Sequence, residues 1–329
     1  MATFSIVTPS FNQGAYLDET MRSVLDQEGV GPVEYLVADG GSTDGSADII
    51  RRYADRLAWW VSEPDGGQSD AINKGWQRVT GDYVAFLNSD DTYFPGALAR
   101  VAAAFEANPD AGVVYGQAQW VTEDGVPTSQ TGLFVDGQVV LDRLIGLPQP
   151  AAFVRREVLE RVGLLDPSFH FALDGEFYIR AVGSFRAVAL PDVLASMRLH
   201  ADAKSVATST GFAPEVSRLV EKVIASPQNY PRYTVDPGKL RAMAHVVASR
   251  YYFINGEYRT SLSNLRQALA ADRAVWRRIA KEEAPRFVAR MVLGRRLYGR
   301  LSGLSMTQTR RSFTRQGSTL EGVKGSRNA

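Results

Sequence analysis

Two adjacent aspartates close the apolar run Val84-Ala-Phe-Leu87, in the segment Asn88-Ser89-Asp90-Asp91. Like charges side by side at a strand end are unfavourable without a cation or a network of donors. Hard ions such as Mg2+ and Mn2+ take oxygen ligands, commonly one or two protein carboxylates, with phosphates and water completing the shell. The pair therefore suits a metal–diphosphate site. It suits helix capping equally, since Asp90 or Asp91 can cap a helix that follows Pro95.

Three further positions carry usable groups. Asp39 ends an apolar run and heads the loop Gly40-Gly-Ser-Thr-Asp-Gly45. A carboxylate there can accept from a base N–H or a ribose hydroxyl, or can serve the turn. The loop is neither G-x-G-x-x-G nor G-x-x-x-x-G-K-[ST]. Asp174 follows His170-Phe-Ala-Leu173. An acid in such aromatic and aliphatic surroundings can take up a proton as a base, or it can cap the helix carrying Phe177 and Ile179. His200 ends a strand-like run and can ligate a divalent ion, donate to a phosphate, or be structural. His170 and His200 lack helical ligand spacing for zinc, and no G-x-S-x-G elbow supports a hydrolase triad.

The elements that must position these groups follow from apolar periodicity. Strands are predicted over 4–8, 33–38, 58–62 and 82–87. Helices with Leu17, Met21, Val24 and Leu25, with Ile49, Ile50 and Tyr53, and with Ala71, Ile72 and Trp76 lie between them. Ser42 or Thr43 can cap the second. Strand–helix alternation predicts a parallel α/β sheet, with ligands beyond the carboxyl ends of the strands. After residue 110 the rhythm changes. A hairpin is predicted from Val113 to Val121 with its turn at Asp124-Gly125, helices over 153–163 and 174–183, and short strands over 186–190 and 193–199.

From about residue 212 the chain reads as helical. Residues 242–271 have the pattern of one tetratricopeptide-type helical hairpin, read here as a helical pair packed on the preceding α/β domain. Residues 286–320 carry eight arginines and no acid, interleaved with Phe287, Met291, Leu297 and Tyr298. The stretch 286–313 reads as a basic amphipathic helix able to touch an anionic membrane, or as a solvated one, and 314–329 as a disordered basic tail.

A net charge of +1 excludes a whole-molecule nucleic-acid signature, and the absence of cysteine excludes disulfides, thiolate nucleophiles and cysteine zinc sites. No run approaches 18 apolar residues, and the start lacks a secretory pattern, so a cytoplasmic location is expected, at most at the inner face of the cell membrane.

Taken in order, the motifs resemble the family 2 glycosyltransferases. Phe4-Ser-Ile-Val-Thr-Pro-Ser-Phe-Asn12 resembles that family's opening strand and loop, and Asp39-Gly-Gly-Ser-Thr-Asp-Gly45 its second loop. Asp70-Ala-Ile-Asn-Lys-Gly75 resembles its third loop and Leu87-Asn-Ser-Asp-Asp91 its metal motif. Pro148-Gln-Pro-Ala-Ala-Phe-Val-Arg155 and Leu173-Asp174 resemble its acceptor-side segments. The likeness spans roughly residues 3–205.

The resemblance implies a GT-A fold over 1–210, with a nucleotide-binding half over 1–110 and an acceptor half over 111–210, followed by a helical region over 211–313. It implies inverting transfer of one sugar from a nucleotide diphosphate, by preference a UDP-sugar, to a hydroxyl of a glycan or lipid-linked glycan, with Mn2+ or Mg2+. Thr8, Pro9, Ser10, Asn12, Asp39, Asp70, Asn73 and Asp90 would contact the nucleotide. Asp91 and His200 would hold the metal, and Asp174 would be the base. Asp65, Gln68, Gln149, Glu176 and Lys204 are donor or acceptor candidates. Asn88 stands where many members have aspartate, Ile72 replaces an arginine that often touches the base, and Gly175-Glu176 replaces a common Tyr-Asp. No Gln-x-x-Arg-Trp motif of processive members occurs. The alternatives are a binding protein that keeps the donor pocket without turnover, and a nucleotidyltransferase.

Overall fold

The four predicted strands form at the expected places: β1 (Phe4–Ser10), β2 (Glu34–Asp39), β3 (Trp59–Ser62) and β4 (Tyr83–Phe86). The computed structural model describes residues 3–132, 137–144, 146–200 and 211–285. The strands lie side by side in the order β3-β2-β1-β4, each parallel to its neighbour. Helices α1 (Gly14–Leu25), α2 (Ser46–Arg52) and α3 (Gln68–Trp76) make the crossovers. The chain moves outward from β1 to β3 and then returns to the other side of β1 as β4. Such a reversal is the switch point where open α/β sheets bind ligands.

Alternation along each strand supplies both faces of the sheet. Phe4 and Ile6 pack with Leu17 and Met21 of α1, whereas Val7 packs with Ile72 and Trp76 of α3. Gly75 lets α3 approach β1 closely, since a Cβ there would lie 2.5 Å from Val7 Cγ1.

The second half of the sheet is mixed. It comprises β5 (Thr92–Tyr93), α4 (Ala97–Ala107), β6 (Ala111–Thr122), β7 (Pro127–Gln130), α5 (Gly137–Arg143), β8 (Ala152–Arg155), α6 (Arg156–Val162), α7 (Leu173–Ser184) and β9 (Arg186–Leu199). The β6–β7 hairpin turns through Gly125 at φ +79°. Strand β8 fits antiparallel between β4 and β6, and β9 runs parallel to β6.

Two expectations are corrected. Residues 153–163 are not one helix. The segment opens as β8, because Ala152-Phe-Val is buried on both sides between two strands, and a short apolar run does not distinguish strand from helix. The two strands expected over 186–190 and 193–199 are one strand. Residues 190–192 bulge opposite Gly116, and Gln117 Nε2 donates to the Pro191 carbonyl at 2.7 Å.

The C-terminal helices are α8 (Phe212–Ala225), α9 (Pro237–Ile254) and α10 (Tyr258–Ala271). Asp236 caps α9 by accepting the Lys239 N–H at 3.0 Å, with Pro237 at the first helical position. The predicted helical pair is α9 and α10, joined through a turn at Gly256 and by a Ser249–Ser261 hydroxyl contact of 2.8 Å. The described residues up to Val275 form one compact unit, and residues 276–285 belong to another. The stretch 286–313 and the tail from 314 lie outside the described residues. Among the described residues no helix is long and apolar enough to cross a membrane.

Candidate active site

A cavity of about 750 Å3 opens beyond the carboxyl ends of β1, β2, β3 and β4, where Ser10, Gly40, Pro64 and Asn88 form part of its wall. Of the residues named from sequence, Pro9, Ser10, Asp65, Gln68, Asp90, Asp91, Gln149 and Asp174 line it. Both acidic clues, the Asp90–Asp91 pair and Asp174, therefore open onto the same space.

Other named residues stand behind that wall and shape it. The Asp39 carboxylate, buried at 1% exposure, accepts from the Ser42 N–H at 3.0 Å and the Ser62 hydroxyl at 2.7 Å. Asn12 adopts φ +51°, accepts the Thr43 N–H at 2.9 Å and donates its own N–H to the Ser42 hydroxyl at 2.8 Å. Ser42 thus ties the loops after β1 and β2 together. It does not cap α2, whose N-cap is Gly45. Thr8 accepts the Tyr35 hydroxyl at 2.9 Å inside the sheet. Asp70 accepts the Gly66 N–H at 3.0 Å. Asn73 pairs twice with the Leu165 backbone, at 2.9 and 3.0 Å, fastening α3 to the loop before α7.

Glu176, expected at the donor or acceptor, is fully buried on the far side of α7's first turn. It pairs with Arg180 at 2.7 Å and Lys222 at 2.8 Å and does not face the cavity. Lys204 lies outside the described residues.

The acid pair is held by β9. The Arg198 N–H donates to Asp91 Oδ1 at 3.0 Å, and the Arg198 guanidinium donates to the Asp90 carbonyl at 3.2 Å. His200 Nε2 meets Asp90 Oδ2 at 2.9 Å. Neither aspartate caps the following helix, whose N-cap is Gly96, and Asp174 is not a cap, since Ala172 holds that place before α7. Burial and the neighbouring Asp90 charge push the Asp91 carboxyl well above its ordinary range, against the pull of the Arg198 N–H and the Asn88 side chain. A cation beside Asp91 would relieve that penalty. Among the described residues no three His, Cys, Asp or Glu side chains converge as a preformed cage. Asp91 thus offers one carboxylate to a hard ion that takes its other oxygens from phosphate and water, while Asp90 and His200 are paired with each other.

Asn88 links three elements. Gln68 Nε2 of α3 donates to Asn88 Oδ1 at 2.8 Å, and Asn88 Nδ2 donates to Gln149 Oε1 at 3.1 Å. Gln149 Nε2 then donates to the Phe86 carbonyl at 2.7 Å. An aspartate at 88 would lose the Nδ2 donor. Ser10 and Gln13 line the cavity, and Ser10 Oγ and Gln13 Oε1 are buried polar atoms without a partner among the described residues. Such atoms suit a polar ligand.

Part of the cavity wall is apolar and aromatic: Phe171 and Leu173 precede Asp174 in the chain, and Trp120, Met197 and Phe212 also line the space. Phe212 of α8 packs on Phe171 at 5.4 Å between centroids and stacks on Tyr251 of α9 at 5.0 Å. Burial and the Asp174 charge push the Tyr251 hydroxyl up to about 12.

Comparison with known proteins bears on this arrangement. The model described as Glycosyl transferase family 2 matches residues 5–163. An uncharacterised glycosyltransferase of Mycobacterium tuberculosis is 35% identical over 188 residues, covering 54% of this chain and 68% of that protein. The chain belongs to glycosyltransferase family 2. A PGL/p-HBAD biosynthesis glycosyltransferase of Mycobacterium bovis is 32% identical over 184 residues, again covering 54% of this chain and 68% of the other.

Solved glycosyltransferases share the fold. Residues 1–349 of S. aureus TarS in complex with UDP-GlcNAc align with a TM-score of 0.60 at 18% identity, over 82% of this chain and 81% of that one. In a longer TarS chain the match spans 43% of its length. The mannosyltransferase PcManGT of Pyrobaculum calidifontis, in complex with GDP-Man and Mn2+, aligns at 0.54 and 20% identity, over 94% and 82%. The expected GT-A fold, with a helical C-terminal region, is thereby established, and this glycosyltransferase is an enzyme of the transferase class.

Sequence reasoning missed Arg198, Phe171, Trp120 and Phe212. Arg198 was accessible, because strand alternation sets it on the same face as His200. Phe212 was not, since it arrives from a helix distant in sequence and carries no motif of its own.

Proposed function

We propose that this family 2 glycosyltransferase transfers one sugar, with inversion, from a UDP-sugar to a hydroxyl of a glycan or lipid-linked glycan. The observation that carries this reading is the shared cavity: the Asp90–Asp91 pair and Asp174 line one space at the switch point of the sheet. Ser10, Asn12, Asp39, Asp70 and Asn73 belong to the loops that bind or shape the nucleotide pocket, and residues 1–110 serve the donor while 111–210 serve the acceptor. The TarS and PcManGT structures hold a uridine and a guanosine sugar nucleotide respectively, which is why the base has to be tested.

Asp91, with His200, would hold Mn2+ or Mg2+, which would supply positive charge against the leaving diphosphate, and Asp90 would contact the ribose. Asn88 and Gln149 keep Gln68 aimed along the cavity, where it and Asp65 can accept or donate to sugar hydroxyls. Asp174 takes the acceptor hydroxyl proton as that oxygen attacks C1 from the face opposite the diphosphate. A single displacement of this kind inverts C1 and needs no enzyme nucleophile. The enzyme would act in the cytosol, reaching membrane-linked acceptors through peripheral contact of 286–313.

The test is calorimetric titration of the full chain with UDP, GDP and dTDP, with and without Mn2+. Metal-dependent binding of UDP that is lost in Asp91→Ala supports the reading. Binding of GDP alone would move the donor to guanosine, and binding of none would remove the donor site.

A further inference from the structure

Glu215 lies on α8, beyond the family match, and is 7% exposed. Its carboxylate accepts three successive backbone N–H groups, those of His170, Phe171 and Ala172, each at 2.8 Å. A buried carboxylate is unfavourable unless its oxygens are satisfied, and here the satisfaction comes from the turn that leads into α7. The carboxylate also sits where the α7 dipole favours negative charge.

Other residues of the same helix grip the same segment. The Arg218 guanidinium donates to the Ser168 carbonyl at 2.6 Å, lies 4.2 Å from the Phe169 ring centre and approaches Glu215 at 3.9 Å. Lys222 pairs with Asp166 and Glu176, each at 2.8 Å. Positions 215, 218 and 222 share one helical face. That face therefore holds the chain from Asp166 through the first turn of α7, where Asp174 is the second residue.

We propose that Glu215 is a positioning residue for Asp174, so that the C-terminal helices complete the active site. The proposal rests on the reading of Asp174 as the base. A general base works only within hydrogen-bond reach of the proton it takes, and a displacement of about 1 Å can lower turnover about 10²-fold. Charge matters as well as shape. A glutamine at 215 offers one acceptor oxygen and turns an N–H toward backbone N–H donors, so the three bonds cannot all persist.

The test uses the full chain carrying Glu215→Gln, Glu215→Asp or Asp174→Asn. UDP release from UDP-sugars, UDP affinity with Mn2+, and hydrogen exchange of the peptide containing 170–172 are measured. The expected result for Glu215→Gln is a kcat lowered about 10- to 100-fold with donor KM and UDP affinity unchanged, and faster exchange at 170–172. Glu215→Asp, which keeps the charge, should recover part of the loss. Wild-type turnover in a folded Glu215→Gln overturns the proposal, and so does an equal loss of UDP affinity, which would mark a general structural role. Should Glu215→Gln fail to fold, Arg218→Ala is the second variant. Faster loop exchange with reduced kcat supports the positioning, and faster exchange with unchanged kcat overturns it. Wild-type turnover in Asp174→Asn would instead overturn the base reading, independently of Glu215.

Discussion

His200 Nε2 lies 2.9 Å from the Asp90 carboxylate, so the end of β9 is clasped to the acidic pair at the end of β4. Tyr16 of α1 packs on the imidazole at 4.9 Å, which leaves His200 only 7% exposed. Partners that orient metal-binding carboxylates commonly change metal affinity 10- to 100-fold. His200→Ala should therefore raise the Mn2+ concentration needed for half-maximal UDP binding by about 10-fold. Calorimetry across a Mn2+ series checks this, and an unchanged requirement would assign His200 a purely structural place.

Asp174→Asn should separate binding from chemistry. The carboxamide keeps the Gly175 N–H bond that Asp174 Oδ1 now accepts at 2.8 Å, so the first turn of α7 should persist. UDP release from a UDP-sugar should fall by about 10²–10⁴-fold, the usual contribution of a general base. UDP affinity should stay near wild type. Steady-state rates beside a UDP titration give both numbers.

Asn88→Asp tests the amide chain between Gln68 and Gln149. The change removes the Nδ2 donor that Gln149 accepts at 3.1 Å and places a third carboxylate beside Asp90 and Asp91. The metal-free variant should lose about 1–3 kcal/mol of stability, the range for an unsatisfied buried polar group. Mn2+ should restore more of its melting temperature than of the wild type's. Thermal melts with and without Mn2+ decide the matter.

Asp166 carries a pH dependence with a definite sign. Burial raises its carboxyl, but hydrogen bonds from Lys222 and Ser168 outweigh burial and hold it at about 2. An unfolded aspartate titrates near ~3.9, so the folded state is the weaker proton binder. The stabilisation is present above pH ~4 and is lost as pH falls from there through about 2. Asp166→Asn should therefore melt below wild type at neutral pH, and the gap should narrow steadily under acid. A gap that is constant with pH would mean that the charge is not what stabilises.

The sequence by itself determined the first half of this protein. Regular alternation over residues 4–87 leaves few foldings other than a parallel sheet with helical crossovers, and acids at strand ends then fall on the ligand side. That is why Asp39, Asp90 and Asp91 stood out from the pattern, whereas Ser10 and Gln68 were named through the resemblance to family 2. Only the tertiary structure decided the rest. The run 152–155 is a strand because β4 and β6 flank it, which periodicity over four residues cannot express. Glu176 lies two residues from Asp174, yet Arg180 of its own helix and Lys222 of α8 hold it as a buried ion cluster. Glu215 and Phe212 are distant in sequence from Asp174 and show no motif. They reach the site because α8 lies along the loop before α7, a contact between residues about 40 positions apart that depends on packing rather than local pattern.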